Sequence, residues 1–100
     1  MKRPPVVFAP EARDDLVALY EWIAIEASPK VALSYIERLE THCLGLLHSP
    51  KRGQARDGIR PGLRIEGFER RLTVAFAVEN DRVIILRLFY AGRNWETNLF

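Results

Sequence analysis

Residues 72–89 read LTVAFAVENDRVIILRLF. Leu72, Val74, Phe76 and Val78 alternate with Arg71, Thr73, Ala75 and Ala77, the two-residue period of a half-buried strand. Val83 to Phe89 is apolar at every position except Arg87, which reads as a central strand covered on both faces. Between them, Glu79-Asn80-Asp81-Arg82 is a tight turn, because Asn and Asp both tolerate positive φ. A hairpin therefore anchors the second half of the chain.

Working outward, Leu63 and Ile65 alternate with Arg64 and Glu66 and predict another half-buried strand. Upstream the period changes. Ala32, Tyr35, Ile36, Leu39, Cys43, Leu46 and Leu47 recur every three or four residues, an amphipathic helix. Ser28 is its expected N-cap, Pro29 its first residue, and Pro50 and Gly53 its stop. Ala12, Leu16, Leu19, Tyr20 and Ile23 predict an earlier helix. It starts at Pro10, with Glu11, Asp14 and Asp15 in the first turn. A link of about three residues makes the pair a helical hairpin. Val6-Val7-Phe8 reads as a first strand. The expected order is β-α-α-β-β-β, an α+β fold with the helical hairpin packed on a small antiparallel sheet.

One hundred residues, 48% apolar and 28% charged, fit one domain over residues 1–100 with a modest core and exclude a disordered chain. No apolar run approaches the roughly 18 residues of a membrane span. MKRPPVVFAP is too short in its apolar stretch to be a signal peptide. The lone Cys43 forms no internal disulfide, and no Cys/His cluster has metal-ligand spacing. A cytoplasmic protein without cofactor or metal is expected. Residues 1–50 carry five Lys or Arg against seven Asp or Glu, whereas residues 51–100 carry ten against six, nine of the ten being Arg. An arginine-rich half suits a nucleic acid, a phosphate or an acidic protein, and equally a plain solvated face.

Catalytic groups are sparse. His42 and His48 lie on the second helix, where packing and the helix dipole account for them. Cys43 falls on the buried stripe and reads as a small apolar residue. RNA cleavage through the 2′-hydroxyl needs positive charge and a proton carrier. Arg60, Arg64, Arg71, Arg87 and Arg93 supply the charge, but a guanidinium supplies no base. Lys2, Lys30 and Lys51 are off the sheet, leaving Tyr90 as the one candidate acid or base. Arg87, inside a covered strand, must either pair with Glu66 or a helix carboxylate or await a partner's carboxylate.

Phe8-Ala9-Pro10-Glu11-Ala12, Asp15-Leu16, Tyr20, Ile23, Ser28-Pro29, Ala32, Tyr35, Ile36 and Leu39 form an ordered series of matches along the helices. Pro50-Lys51-Arg52-Gly53, Arg56 and Gly62-Leu63-Arg64 continue it. Val83-Ile84-Ile85-Leu86-Arg87-Leu88 and Tyr90-Ala91-Gly92-Arg93-Asn94-Trp95-Glu96 complete it. The series resembles the RelE/ParE toxin superfamily of bacterial type II toxin–antitoxin systems, and within it the ParE branch. ParE-like sequences close this strand with a similar R-[ILV]-x-[HY]-G-x-R-[DN] pattern. Here Ala91-Gly92 occupies the turn, and Asn94 stands where Asp is commoner.

The resemblance implies a growth-inhibiting toxin that poisons DNA gyrase, with Arg87, Arg93, Trp95, Leu99 and Phe100 contacting the target. The alternative is a RelE-like, ribosome-dependent mRNA endonuclease using Tyr90, Arg64, Arg87 and Arg93; the missing strand lysine argues for ParE. A third reading is a non-toxic module that only binds antitoxin. The implied partner is a ParD-like antitoxin in a heterotetramer or larger assembly, with operator DNA reached only through it. Its docking surface would use Val17, Trp22, Ile25, Val31, Leu44 and Arg64. The first five are apolar residues left outside the main helical stripes; packing on the sheet or the other helix is the competing reading. Trp95 could instead plug the end of the sheet, and the apolar pair Leu99-Phe100 must dock on this chain, an antitoxin or a target.

Overall fold

Pro10 and Pro29 each open a helix at its first position, where a missing N–H breaks no bond. The structure, a computed structural model, describes residues 6–48 and 51–90. In it α1 spans Pro10–Glu26 and α2 spans Pro29–Gly45. Ser28 caps α2, its Oγ accepting from the Val31 N–H at 3.1 Å. α1 has no side-chain cap. Instead the N–H of Ala9, its N-cap residue, donates to the Ile85 carbonyl at 2.8 Å, so the sheet itself fastens the start of the helix.

The strands are β1 (Val6–Phe8), β2 (Gln54–Ala55), β3 (Leu63–Phe68), β4 (Leu72–Glu79) and β5 (Arg82–Tyr90). They form one sheet in the order β1-β5-β4-β3-β2. The β3-β4-β5 meander is antiparallel, as the alternation implies, and Asn80 and Asp81 turn it with φ of 45° and 64°. Two details differ from the expected order. β1 joins β5 in parallel, Val6 opposite Val83, because the helical hairpin carries the chain from one edge strand back across the sheet face. The extra β2 is only Gln54 and Ala55 against Ile65 and Arg64, too short to leave a period in the sequence.

The centre of the sheet is β4. Val74, Ala75, Phe76 and Ala77 are all buried, so its alternating apolar and small residues cover two faces and not one. Ala75 and Ala77 look outward-facing in the sequence only because they are small. β5 is internal from Val83 to Ile85. Ala75 pairs with Arg87 and Phe76 with Ile85, which leaves Leu86 as the extra residue of a β-bulge. The bulge puts Ile85 and Leu88, three residues apart, on the same helix-covered face. There they join Leu72, Val74, Phe76 and Val83 under Ala12, Leu19, Ile23, Ala32, Tyr35, Ile36, Leu39, Cys43 and Leu46. Leu63, Ala75, Ala77, Leu86 and Phe89 form a second buried cluster on the opposite face, to which neither helix contributes.

Candidate functional site

β1 stops at Phe8 as the chain turns into α1, while β5 runs on to Tyr90. Beyond Ile85, the β1 side of β5 therefore has no strand partner among the described residues. Asp15 fills the gap. Its Oδ2 accepts from the Leu88 N–H at 2.9 Å and from Arg87 Nε at 2.7 Å, and its Oδ1 accepts from Arg87 Nη2 at 3.1 Å. A fork-to-fork pair of this kind is among the stronger ionic contacts. The Asp15 and Arg87 side chains keep only 13% and 22% of their exposure. Hydrogen bonding to Asp15 holds the Arg87 guanidinium still more firmly protonated than usual, and its Cζ lies 4.9 Å from the Phe89 ring centroid. The carboxylate that Arg87 requires thus comes from α1. Glu66 is engaged elsewhere.

Beside this pair a cleft of about 350 Å³ opens between α1 and the end of the sheet, lined by Asp15, Ala18, Leu19, Trp22, Leu72, Leu88 and Tyr90. A row of aromatic rings borders it. Trp22 meets Tyr90 edge-on at 5.0 Å, Tyr90 meets Tyr35 at 5.9 Å, and Tyr35 meets Phe68 at 5.7 Å. His42 extends the row, its ring 5.0 Å from that of Phe68. Its Nε2 lies 2.8 Å from Glu66 Oε1, which Arg52 also approaches at 3.2 Å. In the pattern Leu63-Arg64-Ile65-Glu66, Glu66 tucks against α2, while Leu63 and Ile65 join the second face.

The cleft is chemically quiet. Asp15 and Tyr90 are its titratable lining groups, and Asp15 is already committed to Arg87 and Leu88. Burial pushes the Tyr35 phenol up to about 12, helped by Tyr90 and Glu69, and the Cys43 thiol up to about 12, helped by Glu66 and Glu40. Neither group is a nucleophile or base near neutrality. The sign for stability follows. The unfolded thiol and phenol titrate from 9.0 and 10.0, whereas the folded ones keep their protons to about 12. Stability is then full below pH 9 and falls as pH climbs towards 12. Thermal melts across that range are expected to show the decline, and native Cys43 should resist a thiol reagent at pH 8 that labels it rapidly in urea. Rapid native labelling would refute the buried-thiol account.

Of the predicted site residues, Trp22 and Tyr90 line the cleft and Arg87 is bonded to its Asp15, but Arg64 is not part of it. Its guanidinium donates to the carbonyls of Arg52 at 2.9 Å and Gly53 at 3.2 Å, and also to that of Lys51, so it clamps the loop leading to β2. Gly53 in that loop has φ of 75°, and its backbone passes so near the Ile65 carbonyl that no Cβ fits. Tyr90, Arg87 and Arg64 therefore face three different sets of partners. Val17, Ile25, Val31 and Leu44 are exposed on the helical hairpin, Ile25 at 82%, and Leu33, absent from the predicted set, is exposed beside them. Arg93, Trp95, Leu99 and Phe100 lie outside the described residues, as does Pro50. Sequence reasoning missed Asp15 as a site residue, although it sits between Ala12 and Leu19 on the buried stripe, where a plain first-turn acid would not.

A helical hairpin on one face of a mostly antiparallel open sheet, with an apolar cleft beside the bonded Asp15, defines an α+β fold. Residues 6–95 match the family described as the ParE toxin of type II toxin–antitoxin system, parDE. The chain belongs to that family, the ParE-type toxins. A solved structure described as the chromosomal ParDE toxin–antitoxin system from P. aeruginosa shares the fold, with a TM-score of 0.73 and 24% identity over 86% of this chain and 94% of that one. No curated protein matches the chain in sequence. Among the described residues no helix is long and apolar enough to cross a membrane.

Proposed function

We propose that this toxin inhibits growth by binding and poisoning DNA gyrase, and that a ParD-like antitoxin neutralises it in the cytoplasm as a heterotetramer or larger assembly. Family membership supports the toxin role. The observation that carries binding over catalysis is the state of the cleft: its carboxylate is bonded to Arg87 and Leu88, and the neighbouring Tyr35 keeps its proton to about 12. The antitoxin covers the exposed Val17, Trp22, Ile25, Val31 and Leu44 with an apolar helix face. Arg93, Trp95, Leu99 and Phe100, with Arg87 holding the strand that leads to them, engage gyrase.

The experiment is a gyrase supercoiling and cleavage assay with purified toxin, run beside ribosome-dependent mRNA cleavage. Accumulated cleaved DNA that disappears when antitoxin is added is the expected result. Unaffected gyrase with fragmented mRNA would overturn the reading and make Tyr90 the first residue to replace. Two silent assays would overturn gyrase as the target.

A further inference from the structure

The connection between α2 and β3, together with the start of β3, concentrates positive charge. Residues 51–64 hold five cations, Lys51, Arg52, Arg56, Arg60 and Arg64, against one acid, Asp57. The hydrophobic core does not hold this loop, since none of residues 51–62 is buried. Its own polar groups do. Arg64 donates to the carbonyls of Lys51, Arg52 and Gly53, and Arg56 donates to the Gln54 side chain and the Ala55 carbonyl. The Asp57 carboxylate accepts from the Gly62 N–H at 2.9 Å, and the Arg56 N–H donates to the Leu63 carbonyl at 2.8 Å. Carbonyls and an amide are neutral partners, so they fix the arginines without cancelling their charge. Lys51 and Arg52 are exposed, Arg52 keeping half of its side-chain exposure although it approaches Glu66 at 3.2 Å. Lys51 and Arg64 also line a recess of about 230 Å³, shared with the already bonded Asp57.

We propose that this loop is a contact surface for the phosphate backbone of duplex DNA, engaged without regard to base sequence. Residues 51–64 include no aromatic side chain, so unpaired bases find nothing to stack on. Ile59 is their one exposed large apolar residue, too little to anchor a peptide. The loop holds no helix that could enter a groove and read bases. Fixed positive charge remains, and a regular array of phosphates is its complement. The choice of DNA over duplex RNA rests on the gyrase reading, because a toxin seated on gyrase lies beside the duplex that gyrase holds. Operator recognition is a different matter, since it needs base contacts.

The test is fluorescence anisotropy of the purified toxin alone with a labelled DNA duplex of about 20 base pairs. Three engaged phosphates imply a fall in affinity of roughly 40-fold from about 50 to about 200 mM salt, the same for two unrelated sequences. Lys51→Gln with Arg60→Gln should lower the slope of log affinity against log salt by about two. Lys51→Glu keeps every loop bond named above, because Arg64 uses the Lys51 carbonyl and not its side chain, and should weaken binding about tenfold. No binding at low salt, or binding unchanged in both folded variants, would overturn the proposal. Tighter binding of an RNA duplex, or full displacement by polyglutamate at equal charge, would overturn DNA as the ligand. A silent gyrase assay beside loop-dependent DNA binding would overturn the target and leave this surface standing. Gyrase poisoned equally by Lys51→Glu, with no DNA binding by the toxin, would overturn the surface alone.

Discussion

Asp15→Ala is expected to lower the unfolding free energy by about 3 kcal/mol, because it strands a partly buried guanidinium and leaves the Leu88 N–H without its acceptor. For a domain of this size that is a fall in Tm of roughly 12–24 °C. Arg87→Ala should cost less, since Asp15 keeps its bond from Leu88. Asp15→Asn should fall between, retaining an acceptor for Leu88 but losing the charge. Replacing the pair together, Asp15→Leu with Arg87→Met, should recover part of the loss, because two apolar side chains leave no unpaired charge. Urea unfolding of the parent, Asp15→Leu, Arg87→Met and the double variant closes a double-mutant cycle. A coupling energy near zero would show that Asp15 does not hold β5 where β1 ends.

The effect should reach function through geometry. The pair fixes the last turn of β5 against α1, and with it Leu88 and Tyr90, two residues that line the cleft. Loosening it should widen the cleft before the rest of the sheet melts and shift Trp22, which lines it, so affinity for the proposed antitoxin is expected to fall in Asp15→Asn even at temperatures where the variant is fully folded.

The second large effect is expected at Phe76→Ala, at about 4 kcal/mol. Phe76 is fully buried at the middle of the central strand, beneath both helices. Its ring fills the position next to the β-bulge, where Ile85 and Leu88 share a face. Removing it leaves a cavity that two rigid neighbours, a sheet and a helical hairpin, cannot close. A domain of 100 residues has roughly 5–15 kcal/mol of stability in all, so the substitution removes between about a quarter and four-fifths of it. Phe76→Leu should retain most of it, at a cost of about 1.5 kcal/mol. A Phe76→Ala melt within a few degrees of the parent would mean that β4 is not the centre of the core.

Periodicity was sufficient wherever one side chain period mapped to one buried face. The stripe from Ala32 to Leu46 is helical and buried as it reads, Ser28 caps it, and Asn80-Asp81 turns the hairpin. It misled where both faces are buried. Ala75 and Ala77 occupy positions that alternate with larger apolar residues, and a small side chain looks the same in a sequence whether it faces water or a second core. Arg64 and Glu66 differ again, since both are engaged within the fold, Arg64 by the carbonyls of Arg52 and Gly53 and Glu66 by His42 and Arg52.

The amino-acid sequence by itself determined the order of the two helices and the four longer strands, the helical hairpin, the turn that pairs β4 with β5, and the ParE-like succession of residues, because each rests on neighbours a few positions apart. Tertiary structure alone decided that β1 runs parallel to β5, that a bulge at Leu86 rotates the end of that strand, and that the carboxylate for Arg87 is Asp15, 72 residues away. Those facts depend on which backbone groups are left unpaired when a short edge strand ends. Such a vacancy is created by packing, and no local pattern records it.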